Sequence, residues 1–336
     1  MKIILKRGIP MKRNRNTKID ILRAIAMICI FIAHAKPNPI IFEIRNFDVI
    51  MIVILLGASF YLSTKDKQLH YISYILKRFN RLIVPTWIFL TIFFFIFYLY
   101  SKITNFEYFT LPQIIESYKL LGGIGFVWIM KVFFLVALTS PFLLAISNKI
   151  KSHYIYFLLL SVAYLIYQFL YLMLPLIPPS IKLYYNLILL EGIGYSIVAA
   201  IGIRLLQLDK KVYILLTIFM SFIYIISAIY LQFESTQLFK YPPQHYYISY
   251  GAMMTLIFYQ ILNIKIIHDF LNNKLMQFIS RHSMWLYLWH IIPIYIIKFH
   301  HNTLFNNFVG RFFTIILISF LLTLVHHFIV KKIKHS

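Results

Sequence analysis

The sequence predicts an all-α, polytopic membrane protein: a bundle of about ten transmembrane helices with both termini cytoplasmic. Three observations carry that prediction. Of 336 residues, 61% are hydrophobic and only 13% charged, and mean hydropathy is +0.78, whereas soluble domains carry about 25% charged residues. The apolar residues fall in continuous runs, and about 20 such residues cross roughly 30 Å of hydrocarbon as a helix. Basic residues then collect between alternate runs. An ordinary soluble enzyme and a disordered chain are both excluded. Continuous apolarity also excludes a transmembrane barrel, whose strands alternate. The net charge of +23 is dispersed between apolar runs rather than gathered on one face, so it points to membrane-surface loops and not to nucleic acid.

The runs, in order, are 19–35, 47–63, 82–100, 124–146, 154–174, 184–203, 212–231, 248–264, 283–298 and 312–330. The first is apolar except for Asp20, Arg23 and His34, and the second contains Leu56-Gly57-Ala58-Ser59. The third opens just before Pro85; the fourth holds Lys131 and Pro141, and the sixth holds Glu191. The fifth, seventh and eighth carry no charged residue. The ninth is short and interrupted by His290 and Pro293, and the tenth is apolar up to His326 and His327.

With the N-terminus inside, cytoplasmic segments hold 23 of the 33 Lys and Arg. The outer segments hold eight, namely Lys36, Arg45, Lys102, Lys119, Lys182, Lys240, Lys298 and Arg311, while Arg23 and Lys131 fall within spans. That asymmetry is the positive-inside pattern. The chain reads as one integral-membrane domain over 1–336, with a basic segment 1–18, a bundle 19–330 and a basic tail 331–336. Its polar stretches, of about 15–20 residues, are too short for an independent fold. The lone Cys29 allows no intramolecular disulfide.

Ionisable groups inside hydrocarbon are costly and are functional candidates by default. Arg23 and His34 are eleven residues apart, which at 100° each comes to about three turns plus 20°. They share one helix face, separated by about 16 Å along the axis; a snorkelling arginine and an interfacial histidine are the plainer reading. Lys77, Arg78 and Arg81 stand at helical spacing before the third span, followed by Pro85. Arginine forks suit phosphate, although a basic anchor on anionic lipid gives the same pattern. Ser283, Tyr287 and His290 mark the ninth span, with His290 in its inner half; a satisfied buried histidine is the plainer alternative there. Lys131 and Glu191 each lie about 10 Å deep from the outer side, level with His34. Glu191 would orient the imidazole, or the two would only neutralise one another.

Together these segments resemble the bacterial integral-membrane acyltransferase 3 family over most of the chain. The resemblance rests on Arg23-x10-His34 in the first span, Arg78-x-x-Arg81 after the second, and Ser283-x-x-x-Tyr287-Leu288-x-His290 near the end. The stretch from Phe126 and Trp128 to Pro141 is similar to a further family segment, and 241–245 is similar to sugar O-acetylating members. Two departures are Ala24 for the glycine after the arginine, and Leu56-Gly57-Ala58-Ser59-Phe60 where the second span usually carries a Ser-Gly pair.

The resemblance implies transfer of an acetyl or other acyl group from acetyl-CoA to a hydroxyl of a cell-envelope glycan or lipid-linked sugar, without a metal. The site would be the bacterial cytoplasmic membrane. Arg78, Arg81 and Lys77, with Arg23, would hold the CoA phosphates. His34 would act as base or as transient acyl carrier. A flippase or exporter of the same glycan, and a membrane module with vestigial residues, are the competing classes. The topology has a direct check: reporter fusions at the C-terminus and near Thr236 should report opposite sides of the membrane, and like-sided reporters would overturn the ten-span count.

Overall fold

Backbone polar groups cannot be left unpaired in hydrocarbon, and this chain meets that demand with helices throughout. The computed structural model describes residues 16–299 and 307–335. The basic segment before residue 16 therefore lies outside the described residues. Fifteen α-helices follow one another with no strand among the described residues. They are α1 (Thr17–His34), α2 (Pro39–Ile44), α3 (Asp48–Thr64), α4 (Tyr71–Thr104), α5 (Leu111–Lys119), α6 (Trp128–Lys149), α7 (His153–Leu172) and α8 (Pro179–Tyr184). After them come α9 (Glu191–Leu205), α10 (Lys210–Tyr230), α11 (His245–Ile261), α12 (Lys265–Leu271), α13 (Lys274–Trp289), α14 (Ile291–Phe299) and α15 (Phe308–His335).

Six helical stretches among the described residues are long and apolar enough to cross a membrane, or seven if the pair α11–α12, bent by 103°, is one span. The chain is a multi-pass membrane protein. The other expected spans take different forms. Helix α1 carries Lys18, Asp20 and Arg23, and α3 is only 17 residues long. The ninth run divides into α13 and α14 at His290. Pro293 lacks the N–H that would bond the carbonyl of Trp289, which removes one helical hydrogen bond at the break. Its start also differs from the expectation, because α13 begins at Lys274 rather than 283. Gln277, Arg281 and His282 made the first two turns read as loop. Helix α13 instead packs along α1, with Ser280 against Asp20.

The sixth span runs Pro179–Leu205 as one stretch and contains a π-helical turn, Tyr185–Leu190, immediately before Glu191. At its centre α9 crosses α3 at backbone contact. A methyl on Gly57 would run into the carbonyl oxygen of Ala199, and one on Gly202 into that of Ile54. Small residues at such crossings let membrane helices approach and gain dispersion contacts without help from water. Helix α1 packs on α3 and on α13, which completes the centre. Helices α7 and α15 bury little of their apolar length and present it outward.

Two devices shape the end of the bundle near His34. Glu43, on α2, accepts from the backbone N–H and Oγ1 of Thr236, both at 3.1 Å, and from Ser235 Oγ. Asn46 Nδ2 donates to Thr236 Oγ1 at 2.7 Å. Loop 231–244 is thereby clipped over the bundle, and Tyr195 and Tyr167 donate to the carbonyls of Lys240 and Pro243 at 3.1 and 2.8 Å. On the other flank, Gly123 (φ +68°) folds loop 120–127 onto Ser117, where any side chain would collide. Tyr295 and Tyr287 then fix that loop through the carbonyls of Ile124 and Phe126.

The α3–α9 crossing yields a prediction. Gly202→Ala should force the helices apart and cost about 1–3 kcal/mol, the range for overpacking a dense core. Reversible unfolding in mixed micelles measures it; a variant as stable as the parent would show that the crossing does not bear the load assigned to it.

Candidate functional site

A cavity of about 430 Å³ opens at the His34 end of the bundle. Its walls come from the ends of α1, α13 and the starts of α3, α6 and α9, together with loops 120–127 and 231–244. His34 stands in the last turn of α1, where Ala35 caps the helix and Lys36 turns the chain with φ +55°. Its ring meets Phe126 edge-on at 5.0 Å between centroids and lies 5.1 Å from the ring of His290.

His290 is thus neither alone nor in the inner half of its span. Because α13 starts nine residues earlier than the apolar run, His290 falls at its far end, beside His34. It is fully buried. Its Nδ1 bonds the carbonyl of Tyr287, which only accepts, so Nδ1 carries the proton and Nε2 presents a bare lone pair. Among the described residues Nε2 has no hydrogen-bond partner. Tyr287 lines the cavity and donates to the carbonyl of Phe126 at 2.5 Å. Ser283 lies two turns back along α13, half-buried, and does not line the cavity.

Lys131 and Glu191 line the same cavity, as their matched depth suggested, and they are also paired, Nζ to Oε2 at 3.1 Å. The ion pair is thus observed, and no hydrogen bond joins Glu191 to the His34 ring among the described residues. Three charged neighbours were not anticipated: Arg45, Asp48 and Lys240. Arg45 and Lys240 counted as outer-loop charges, yet they are only 4% and 6% exposed. Arg45 Nη1 bonds Asp48 Oδ2 at 2.9 Å, and Lys240 Nζ lies 4.0 Å from Asp48 Oδ1. Lys240 also sits over the rings of Trp128, Tyr241 and Tyr247 at 5.6–5.8 Å. Burial pushes its ammonium down to about 8 against the opposing pull of Asp48. The available sequence signal was the i,i+3 spacing of Arg45 and Asp48 in a chain with only ten acidic residues.

A second cavity, of about 540 Å³, lies at the Arg23 end of α1 and shares no wall residue with the first. Arg23 bonds Ser59 Oγ at 2.8 Å, Ser280 Oγ at 3.3 Å and Asp20 Oδ1 at 3.3 Å. Those bonds tie α1 to α3 and α13. Lys65 and Lys67, missed in the motifs, line it too. Arg78, Arg81 and Lys77 stand in the first three turns of α4, outside that lining. Arg78 lies over the Tyr74 ring at 5.1 Å, and Tyr74 meets Phe60 at 5.3 Å, next to Ser59. Arg81 and Lys77 are exposed, and no carboxylate pairs with Arg78 or Arg81 among the described residues. Arg23 and His34 thus occupy opposite cavities joined by one helix.

Fold and site together define a multi-pass membrane protein with a titratable pair at one end and, at the other, a charged cavity lined by Asp20, Arg23, Lys65, Asp66 and Lys67. A family model for an acyltransferase domain matches residues 16–328, and the chain belongs to this acyltransferase 3 family. A search of curated proteins and one of solved structures found no match.

The buried pair can be tested alone. Lys131→Met should cost about 3–5 kcal/mol by stranding Glu191, whereas Lys131→Met with Glu191→Leu should recover most of it. Unfolding in mixed micelles reads both; equal losses would mean that the pair does not act as a unit.

Proposed function

We propose that this chain is a membrane O-acyltransferase that moves an acetyl group from cytoplasmic acetyl-CoA to a hydroxyl of a cell-envelope glycan or lipid-linked sugar. The observation that carries the reading is the placement of His34, beside His290, in a charged cavity one helix length from the cavity of Arg23. Membership of an acyltransferase family supports the reaction class.

The CoA phosphates sit at the Arg23 end, held by Arg23, Lys65 and Lys67, with Arg78, Arg81 and Lys77 at the entrance. Guanidinium forks and ammonium groups match that charge. The pantetheine arm then spans the roughly 16 Å of α1 between Arg23 and His34, which brings the thioester to the imidazole. His34 takes the proton of the acceptor hydroxyl as general base. The oxygen attacks the thioester carbonyl, the C–S bond breaks, and the leaving thiolate takes that proton back from His34. Acceptor and acetyl-CoA thereby become ester and CoA thiol. The His290 ring, 5.1 Å from that of His34, packs beside it and restricts its orientation.

Donor binding and chemistry separate experimentally. Arg78→Ala and Arg81→Ala should each weaken acetyl-CoA binding about 10- to 150-fold, the equivalent of a charge-assisted hydrogen bond. Arg→Lys should restore it only in part. His34→Ala should leave donor affinity close to the parent while O-acetylation stops. Titration calorimetry in detergent and mass spectrometry of the glycan read the two effects. Retained acetylation in His34→Ala removes His34 from catalysis, and unchanged affinity in both arginine variants makes that cluster a lipid anchor.

A further inference from the structure

Among the residues lining the His34 cavity, three cations (Arg45, Lys131 and Lys240) face two carboxylates (Asp48 and Glu191). Lys131 and Glu191 close on each other at 3.1 Å. Arg45 and Lys240 are left to share Asp48, and the closer contact, 2.9 Å against 4.0 Å, belongs to Arg45. Among the cavity-lining residues, Arg45, Asp48 and Lys240 therefore leave one cation in excess on this wall.

That excess is not absorbed by hydrogen bonds. The Lys240 ammonium, with three N–H donors, has no hydrogen-bond acceptor among the described residues; its neighbours are three aromatic faces and a carboxylate oxygen at 4.0 Å. Arg45 Nε is likewise buried without an acceptor. Arg204 shows how this protein treats a cation with a purely structural task. Its guanidinium donates to His153 Nδ1 and to the carbonyls of Ser147, Ile150 and Lys151, all within 2.7–2.9 Å. Lys240 is as deeply buried and is held as firmly through its backbone, where Tyr195 bonds its carbonyl. Its charged end alone is left unsatisfied, at the cavity wall. A buried charge without its hydrogen bonds is expensive, and an incoming anion supplies what is missing. Trp128 and Tyr241, edge to face at 4.7 Å on the same wall, offer the apolar surface that the C–H face of a sugar needs.

We propose that the acceptor is an anionic glycan whose carboxylate or phosphate seats against Lys240 and Arg45, with its sugar ring beside Trp128 and Tyr241. The proposal rests on the acyl-transfer reading for the role of this cavity as the acceptor site. It adds the acceptor's charge.

Equilibrium binding without acetyl-CoA tests it. The probes are a hexuronic-acid tetrasaccharide, its methyl ester and a glycerol-phosphate oligomer, titrated into the detergent-solubilised full chain. The parent should bind at least one of the two anionic probes ten or more times as tightly as the neutral ester, with an advantage that shrinks as salt is raised. The tighter of the two anions identifies carboxylate or phosphate as the source. Lys240→Met should abolish the advantage, and Lys240→Arg should keep most of it. Equal affinity for all three probes in the parent would overturn the proposal. So would a Lys240→Met variant that loses acid and ester in equal measure, since that marks a structural cage. Salt dependence in the parent remains decisive if the Met variant fails to fold. Adding acetyl-CoA then separates the two readings: charge-selective binding without acetylation overturns acyl transfer alone, and acetylation without charge selectivity overturns the anionic acceptor alone.

Discussion

Everything at the His34 cavity hangs on the crossing of α3 and α9. Gly57 and Gly202 let two backbones meet with no side chain between them. Each of these helices begins with a carboxylate that lines the cavity, Asp48 on α3 and Glu191 on α9. Close packing at the crossing therefore fixes the spacing of two negative charges farther along. Those charges in turn place the three cations: Arg45 and Lys240 gather on Asp48, and Lys131 on Glu191. In hydrocarbon, where an isolated charge is costly, a carboxylate set by the backbone determines where its partners can settle.

The helical class, the membrane setting and the family were all legible in the chain, because each rests on local signals: length of apolar runs, residue types and fixed spacings. Arg23 and His34 share a helix, and their common face followed from 3.6 residues per turn. What failed were inferences that used apolarity as a boundary. Helix α13 opens with Lys274 and carries Gln277, Arg281 and His282, so hydropathy started it nine residues late and misplaced His290 by the same amount. In the structure those polar residues lie at the basic end of the bundle, beside α1 and α15, where a span has no need to be apolar.

Arg45 and Lys240 failed to stand out for a related reason. A charge between two apolar runs reads as a loop charge in water. Here the loops fold back: Glu43 clips 231–244 onto α2, and Tyr195 and Tyr167 pin the same loop from beneath. No feature of residues 231–244 alone announces that return, since the bonds that cause it join positions 45 to 193 residues apart.

Between Arg23 and His34, helix α1 buries most of its surface against its neighbours and leaves Ile25, Ile28, Ile32 and Ala33 half-buried. Ala24, Ala26, Met27, Ile30 and Phe31 are all at most 3% exposed, and no residue lines both end cavities. Under the acyl-transfer reading, the stretch would filter on two properties at once. A diphosphate would have to shed its hydration among alanines and a phenylalanine, at a cost that buried charges do not recover without partners. A slender, uncharged chain meets no such penalty and needs only small side-chain shifts. The fold thus keeps the two cavities apart, and under the proposed acyl-transfer reading the group that passes between them is short, neutral and attached to something that stays behind.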